Sequence, residues 1–255
     1  MPKRILFLLA HPDDETFGPG GTTAKSARAG GWVPLAPATR GEAGMLGDPP
    51  VTDREHLGEV RSAELEEAAG ILGVEEVHFL GFGDGQLADV PREHLVERAV
   101  EVIRRVRPHV LVGFGPDGVS RHPDHKAMCE VALAAFDRAG DPGWYPGHLR
   151  DGAPPWAPLK LYQFEVPQEI LAAWDVPLSG VPLAKLTTVI DTSGDAETKL
   201  RAFRCHRTQR KDVERILSRP GYREFARQET YVLARTRVDG LTFPEHDLLA
   251  GIPED

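Results

Sequence analysis

Positive charge is in short supply in this sequence, and cysteine is almost absent. Lysine and arginine number 30 against 39 aspartates and glutamates, which leaves a formal charge of −9 over 255 residues. Phosphate backbones need a basic face and none is evident, so nucleic acid is a poor partner. The two cysteines, Cys129 and Cys205, stand far apart in helix-like surroundings. No disulfide framework, zinc ribbon or redox pair can be built from them, and reduced thiols of the cytoplasm fit best. Long apolar runs are missing too. No stretch approaches the roughly 20 residues that cross a bilayer. The basic and apolar start, residues 1–10, is too short for a secretory signal, lacks a small-residue cleavage site and runs straight into charge. The expectation is a soluble cytoplasmic protein without internal repeats or low-complexity tracts.

What remains is ordinary enzyme composition, 41% apolar and 27% charged, at a length one hydrophobic core can just serve. A single domain over residues 1–255 is expected. Its motif-bearing core spans about 4–140, a lid or rim loop about 141–158, and a C-terminal strand and helix portion about 159–255.

The chain is organised around its start. Residues 5–10 are short, aliphatic and not alternating, as in a strand buried on both faces. They end in His11-Pro12-Asp13-Asp14-Glu15. Pro12 stops the strand, so the charged group falls at its carboxyl end, where open α/β sheets bind ligands. One imidazole and three carboxylates this close repel one another and lose hydration. A cation offsets both costs.

Further strands are expected at 32–39, weakened by Pro34 and Pro37, at 77–80, and at 109–114. Helices are expected at 22–29, 54–72, 91–106 and 124–137. Repeated strand–helix units of this length predict an α/β fold, a Rossmann-like, largely parallel sheet flanked by helices. The segment 141–158 holds five prolines and two tryptophans, a composition suited to a lid or a binding loop. It would serve an interface in a homo-oligomer equally well. Trp144, Trp156 and Asp117 are candidate rim groups. Additional strands follow at 159–166, 186–190 and 230–234, with a helical stretch at 196–217 interrupted near 206–209.

A second polar group, His122-Pro123-Asp124-His125, follows the strand at 109–114 and opens on the same sheet edge as the first. Taken singly, each group reads as a helix entry or a surface turn. Together they supply two imidazoles and a carboxylate, His11, His125 and Asp14, which is a common catalytic zinc set with a position open for water. Asp13 is then free to act as general base. His122 is free to polarise a carbonyl or protonate a leaving group.

Ala10-His11-Pro12-Asp13-Asp14-Glu15 and His122-Pro123-Asp124-His125 resemble the two signatures of the zinc-dependent N-acetylglucosaminyl-phosphatidylinositol de-N-acetylases, the PIG-L or LmbE-like family. Thr39-Arg40-Gly41-Glu42-x-Gly44, Arg61-x-x-Glu64 and Lys199-x-x-Ala202-x-x-x-His206-x-x-Gln209 add to the likeness, which runs over about residues 4–210. The resemblance implies zinc on His11, Asp14 and His125, Asp13 as base, and His122 assisting the tetrahedral intermediate. It implies Asp124 as partner of an imidazole, and substrate contacts at Arg61 and Asp84. The implied reaction removes acetyl from the 2-acetamido group of a small N-acetylglucosamine-type conjugate. Alternatives at this point are an amidase for a larger acyl or thiol conjugate, and a non-catalytic sugar- or nucleotide-binding module. The dinucleotide reading is weak, because Gly18-x-Gly20 lacks the third spaced glycine. Arg121 puts a cation next to His122 in sequence, and would depress that imidazole if it turned inward.

Overall fold

A computed structural model describes residues 2–253. Six strands, β1 (Ile5–Leu9), β2 (Leu35–Pro37), β3 (Val110–Phe114), β4 (Lys160–Glu165), β5 (Thr188–Asp191) and β6 (Gln228–Thr236), form one sheet in the order β2-β1-β3-β4-β6-β5. The first four run parallel, and β6 is antiparallel to both of its neighbours, β4 and β5. The sheet is therefore mixed, with the expected parallel part carrying the two polar motifs. Every residue of β1 and β3 is buried, as their unalternating aliphatic sequences require. Helices Leu57–Leu72, Arg92–Val106 and Pro123–Arg138 supply the surrounding layers.

The chain order around β1 positions everything that follows. From β1 the chain crosses to β2 on one side, then returns to β3 on the other. Neighbouring loops leave the sheet in opposite directions at such a point and open a crevice at the strands' carboxyl ends. Phe7 pairs with both Leu35 and Val112, so the three strands finish together.

Residues 77–80 run along β2 without forming a regular strand. A single bridge joins Leu35 to Val77, and His78 N–H and Leu80 N–H donate to Leu35 O and Pro37 O at 2.8 and 2.9 Å. Pro34 and Pro37 have no N–H to give, which also trims β2 to three residues. The helical stretch near the C-terminus divides as expected into Ala196–Phe203, a 3₁₀ turn Arg207–Gln209, and Arg210–Leu217.

The loop 141–158 lies at the other end of the sheet from the crevice. Trp156 Nε1–H donates to Pro108 O at 2.6 Å, just before β3 starts, and the indole ring packs edge-on against His109. Arg104, fully buried, donates to the carbonyls of Ala139, Asp141, Trp144 and Tyr145 and so ties the loop down. None of its residues lines the cavity described below, so it is neither lid nor rim there, and Trp144 and Trp156 are not rim groups. Among the described residues no helix is long and apolar enough to cross a membrane. Both cysteines are free and buried.

Candidate metal centre and active site

The end of β1 turns back on itself. Asp14 Oδ2 accepts the N–H groups of Ala10 and His11 at 3.1 and 2.7 Å, which fixes the carboxylate under the strand end and leaves Oδ1 facing His125 Nε2 at 3.3 Å. Asp13 adopts φ 113°, a left-handed conformation that an L side chain rarely takes. Its carboxylate is gripped by Arg61, whose Nη2 donates to Asp13 Oδ2 at 3.0 Å and also to Pro12 O. Arg61 is 3% exposed, and Nη1 donates to Gly41 O at 2.9 Å. Glu64, one turn further along the same helix, accepts two hydrogen bonds from Thr208. The glycines of the 39–44 motif make room for this guanidinium. A Cβ at Gly41 would lie 2.3 Å from Arg61 Nη1, and one at Gly44 2.5 Å from it.

The loop after β3 delivers the second motif. Val119 and Arg121 have positive φ on the way, at 60° and 64°. His122 caps helix Pro123–Arg138, its Nδ1 accepting Asp124 N–H at 3.2 Å. That bond leaves the ring proton of a neutral His122 on Nε2. Burial and the neighbouring His11 and His125 lower its pKa, so the neutral donor form is favoured. Arg121 reaches away to Ser179 Oγ at 3.0 Å, so the expected effect of that cation on His122 does not arise.

The histidine tautomers decide what the centre can hold. His11 Nε2 lies 3.0 Å from Asp84 Oδ1 and 3.1 Å from Asp124 Oδ2, so the ring proton belongs on Nε2. Both carboxylates are anchored by main-chain N–H groups, Asp124 by Gly85 and Leu87 and Asp84 by Ala43. His125 Nδ1 faces Gly118 O at 2.9 Å and its ring stacks on Phe114 at 4.1 Å, which puts that proton on Nδ1. The remaining nitrogens, His11 Nδ1 and His125 Nε2, then confront each other at 3.2 Å as two lone pairs, with Asp14 3.7 and 3.3 Å away. Two acceptors and an anion at this range demand a cation between them. The donor set therefore fits a divalent metal such as zinc.

Without a metal, a proton serves. Burial alone lowers the pKa of His11, but Asp124 and Asp84 outweigh it and hold the imidazole up to about 10. The Asp13 carboxyl is pushed up to about 6 by burial and by Asp14, against the pull of Arg61. Donor atoms of His122 also lie within 4.8 Å of those of His11 and His125, and those of Asp84 and Asp124 within 4.8 Å of His11. The Nδ1 of His122 is already occupied at the helix cap, and Asp84 and Asp124 approach the protonated nitrogen of His11.

The crevice over these groups is a cavity of 680 Å³, within the roughly 300–1,000 Å³ of small-molecule sites. His11, Asp13, Asp14, Arg61, Asp84, His122 and His125 all line it, whereas Asp124 is fully buried behind His11 and Asp117 does not line it. Its outer wall comes from Met45, Arg54 and the helix Arg210–Leu217, with Asp212, Val213 and Arg215 contributing. These residues carried no sequence signal, because an amphipathic surface helix reads the same wherever it lies. Glu15 and His206 were also missed as a pair, though both stood in motifs. They are completely buried, and His206 Nε2 meets Glu15 Oε1 at 2.6 Å, so the side chain makes no capping bond to the turn it precedes.

Comparison with known proteins then fixes the family. Residues 6–136, just over half of the chain and containing both polar motifs, match the family described as GlcNAc-PI de-N-acetylase, PIG-L.

The chain belongs to the PIG-L family.

It is 34% identical over 252 aligned residues to the 1D-myo-inositol 2-acetamido-2-deoxy-alpha-D-glucopyranoside deacetylase of Kineococcus radiotolerans, covering 82% of this chain and 69% of that protein. Among solved structures, the N,N'-diacetylchitobiose deacetylase of Pyrococcus horikoshii superposes with a TM-score of 0.74 at 22% identity, covering 91% of this chain and 83% of that one. The 4-carboxy-2-hydroxymuconate hydratase of Pseudomonas putida KT2440 superposes at 0.67 with 21% identity, covering 94% and 99%. At such identities the superpositions speak for the fold alone, and the second shows that this PIG-L-type fold also carries hydratase chemistry.

Proposed function

We propose that this PIG-L protein is a zinc-dependent cytoplasmic N-deacetylase that releases acetate from the 2-acetamido group of an N-acetylglucosamine-type conjugate. The N-acetylglucosaminyl-inositol named for its Kineococcus relative is the first substrate to test. The observation that carries the reading is the pair of imidazole lone pairs facing each other at 3.2 Å beside Asp14, with the carboxylate of Asp13 on the same cavity.

His11, Asp14 and His125 hold the metal, and Asp124 and Asp84 fix the His11 ring so that Nδ1 points inward. A zinc ion there supplies Lewis acidity, polarising the acetamide carbonyl and bringing a water's pKa towards roughly 7. Asp13 takes the proton of the attacking water as the new C–O bond forms. Arg61 holds its carboxylate at 3.0 Å with the side chain on the cavity, as a general base requires. The Nε2–H of His122 donates to the oxygen on which negative charge develops. When the C–N bond breaks, the proton held by Asp13 goes to the departing nitrogen, so acetate and a free amine result. Arg61 and Asp84 hold Asp13 and His11, and each keeps a face on the cavity for substrate.

Acetate release from the N-acetylglucosaminyl-inositol by chelator-stripped protein, before and after zinc is added back, tests this. Activity restored by zinc supports the reading. Full activity of the stripped protein, or none after zinc is restored, refutes it for this substrate, and a larger acyl chain then becomes the next candidate.

A further inference from the structure

Beyond the family-matched residues the chain reaches back to the catalytic loop through His206, at the head of the turn Arg207–Gln209. Its ring is fully enclosed and joined to Glu15 at 2.6 Å. The second carboxylate oxygen of Glu15, Oε2, accepts the main-chain N–H of Asp13 at 2.9 Å. Both oxygens of Glu15 are thus spent, and neither is free for a metal or a substrate. His206 Nδ1, in turn, has no hydrogen-bond partner among the described residues. A ring kept only to fill space would be apolar there, since a buried unpaired nitrogen is a cost that a leucine avoids. The ring is retained for what its other nitrogen does to Glu15.

That effect falls on Asp13. The residue holds a strained left-handed backbone, and such strain persists only where the surroundings over-determine it. Three grips do so. Glu15 takes its N–H, Thr16 Oγ1 donates to its C=O at 2.8 Å, and Arg61 holds its carboxylate at 3.0 Å. Two of the grips come from the same turn or the nearby helix, whereas Glu15 is itself fixed by a residue nearly two hundred positions away.

We propose that Glu15 and His206 are positioning residues, a buried pair through which the C-terminal part of the chain holds Asp13 in the orientation its base role requires. The proposal rests on Asp13 being the base, and the test separates the two ideas. Acetate release from the N-acetylglucosaminyl-inositol is measured for zinc-loaded Asp13→Ala, His206→Gln, His206→Asn and Glu15→Gln, with zinc content and thermal melting recorded for each. The amide of Gln reaches Glu15 and the shorter Asn does not. His206→Asn should lose about 10- to 100-fold in kcat at unchanged KM and full zinc, the scale of a displaced catalytic group, and His206→Gln should regain most of it. Glu15→Gln, of equal size, keeps the acceptor for Asp13 but weakens the link to His206, and should lose kcat without changing KM. In an Asp13→Ala background, His206→Asn should cost nothing more. Equal losses for Asn and Gln, an additive loss in the double variant, or wild-type kcat for Glu15→Gln overturns the proposal. If His206→Asn does not fold, the Glu15→Gln result decides alone. Wild-type turnover by Asp13→Ala removes the base assignment and the positioning role with it, whereas a dead Asp13→Ala beside a fully active Glu15→Gln removes only the latter.

Discussion

Glu165, at the end of β4, should make the fold less stable as the solution becomes basic. Its side chain is 8% exposed and lies over Gly115, where a Cβ would come within 1.6 Å of Oε1. No hydrogen bond to its carboxylate occurs among the described residues. Burial, with a smaller contribution from Asp117, pushes its pKa up to about 7 from 4.5. A carboxyl whose folded pKa is raised binds its proton more tightly in the native state. Stability is therefore highest below the unfolded pKa and is lost as pH rises towards the folded one. The loss amounts to about 1 kcal/mol at about pH 5 and levels off near 3 kcal/mol by about pH 8. Glu165→Gln keeps the shape and removes the ionisation. Urea unfolding of both proteins at the two pH values, with zinc held constant because a bound metal adds its own stabilisation, isolates the difference. The variant should be the more stable by about 2 kcal/mol more at the higher pH than at the lower. A stability difference that does not change with pH would falsify the argument.

The buried guanidinium of Arg104 satisfies four main-chain carbonyls, so Arg104→Met should cost about 3 kcal/mol in urea unfolding by leaving them unpaired. Because the loop it holds lies away from the cavity, kcat per folded molecule should stay at the wild-type level, and a selective loss of kcat would contradict that placement. Gly41→Ala brings a Cβ against Arg61 at a residue with φ 70°, and should cost about 1 kcal/mol of stability. It should also lower kcat by displacing the group that holds Asp13, and unaltered steady-state kinetics would mean that Arg61 does not orient the base.

Much of this site was legible in the primary structure because its chemistry is packed into two short stretches. His11, Asp13 and Asp14 follow a strand that only a doubly covered parallel sheet accommodates, and His122, Asp124 and His125 follow another. Pro12 cannot extend the first strand and Pro123 opens the helix after the second, so both groups fall in the turns at the same end of the sheet. Arg61 and Asp84 were found in the neighbourhood, but their main partners proved to be Asp13 and His11. Spacing along a helix cannot say which distant carboxylate an arginine will meet. The loop 141–158 misled for a related reason. Its proline and tryptophan content described its stiffness, while its location was set by Arg104, whose burial nothing in a charged helical stretch announces. The tie between Glu15 and His206 spans the chain, and only the folded arrangement of the helix Ala196–Phe203 against the layers beneath it brings the two together.

The zinc content of freshly purified wild-type protein and of four single variants tests the proposed centre most directly. The account predicts about one zinc per chain in the wild type, Asp13→Ala and His122→Ala, and little or none in Asp14→Ala and His125→Ala. Full zinc in Asp14→Ala, or its loss in His122→Ala, would contradict the ligand set and move the metal onto the three histidines instead.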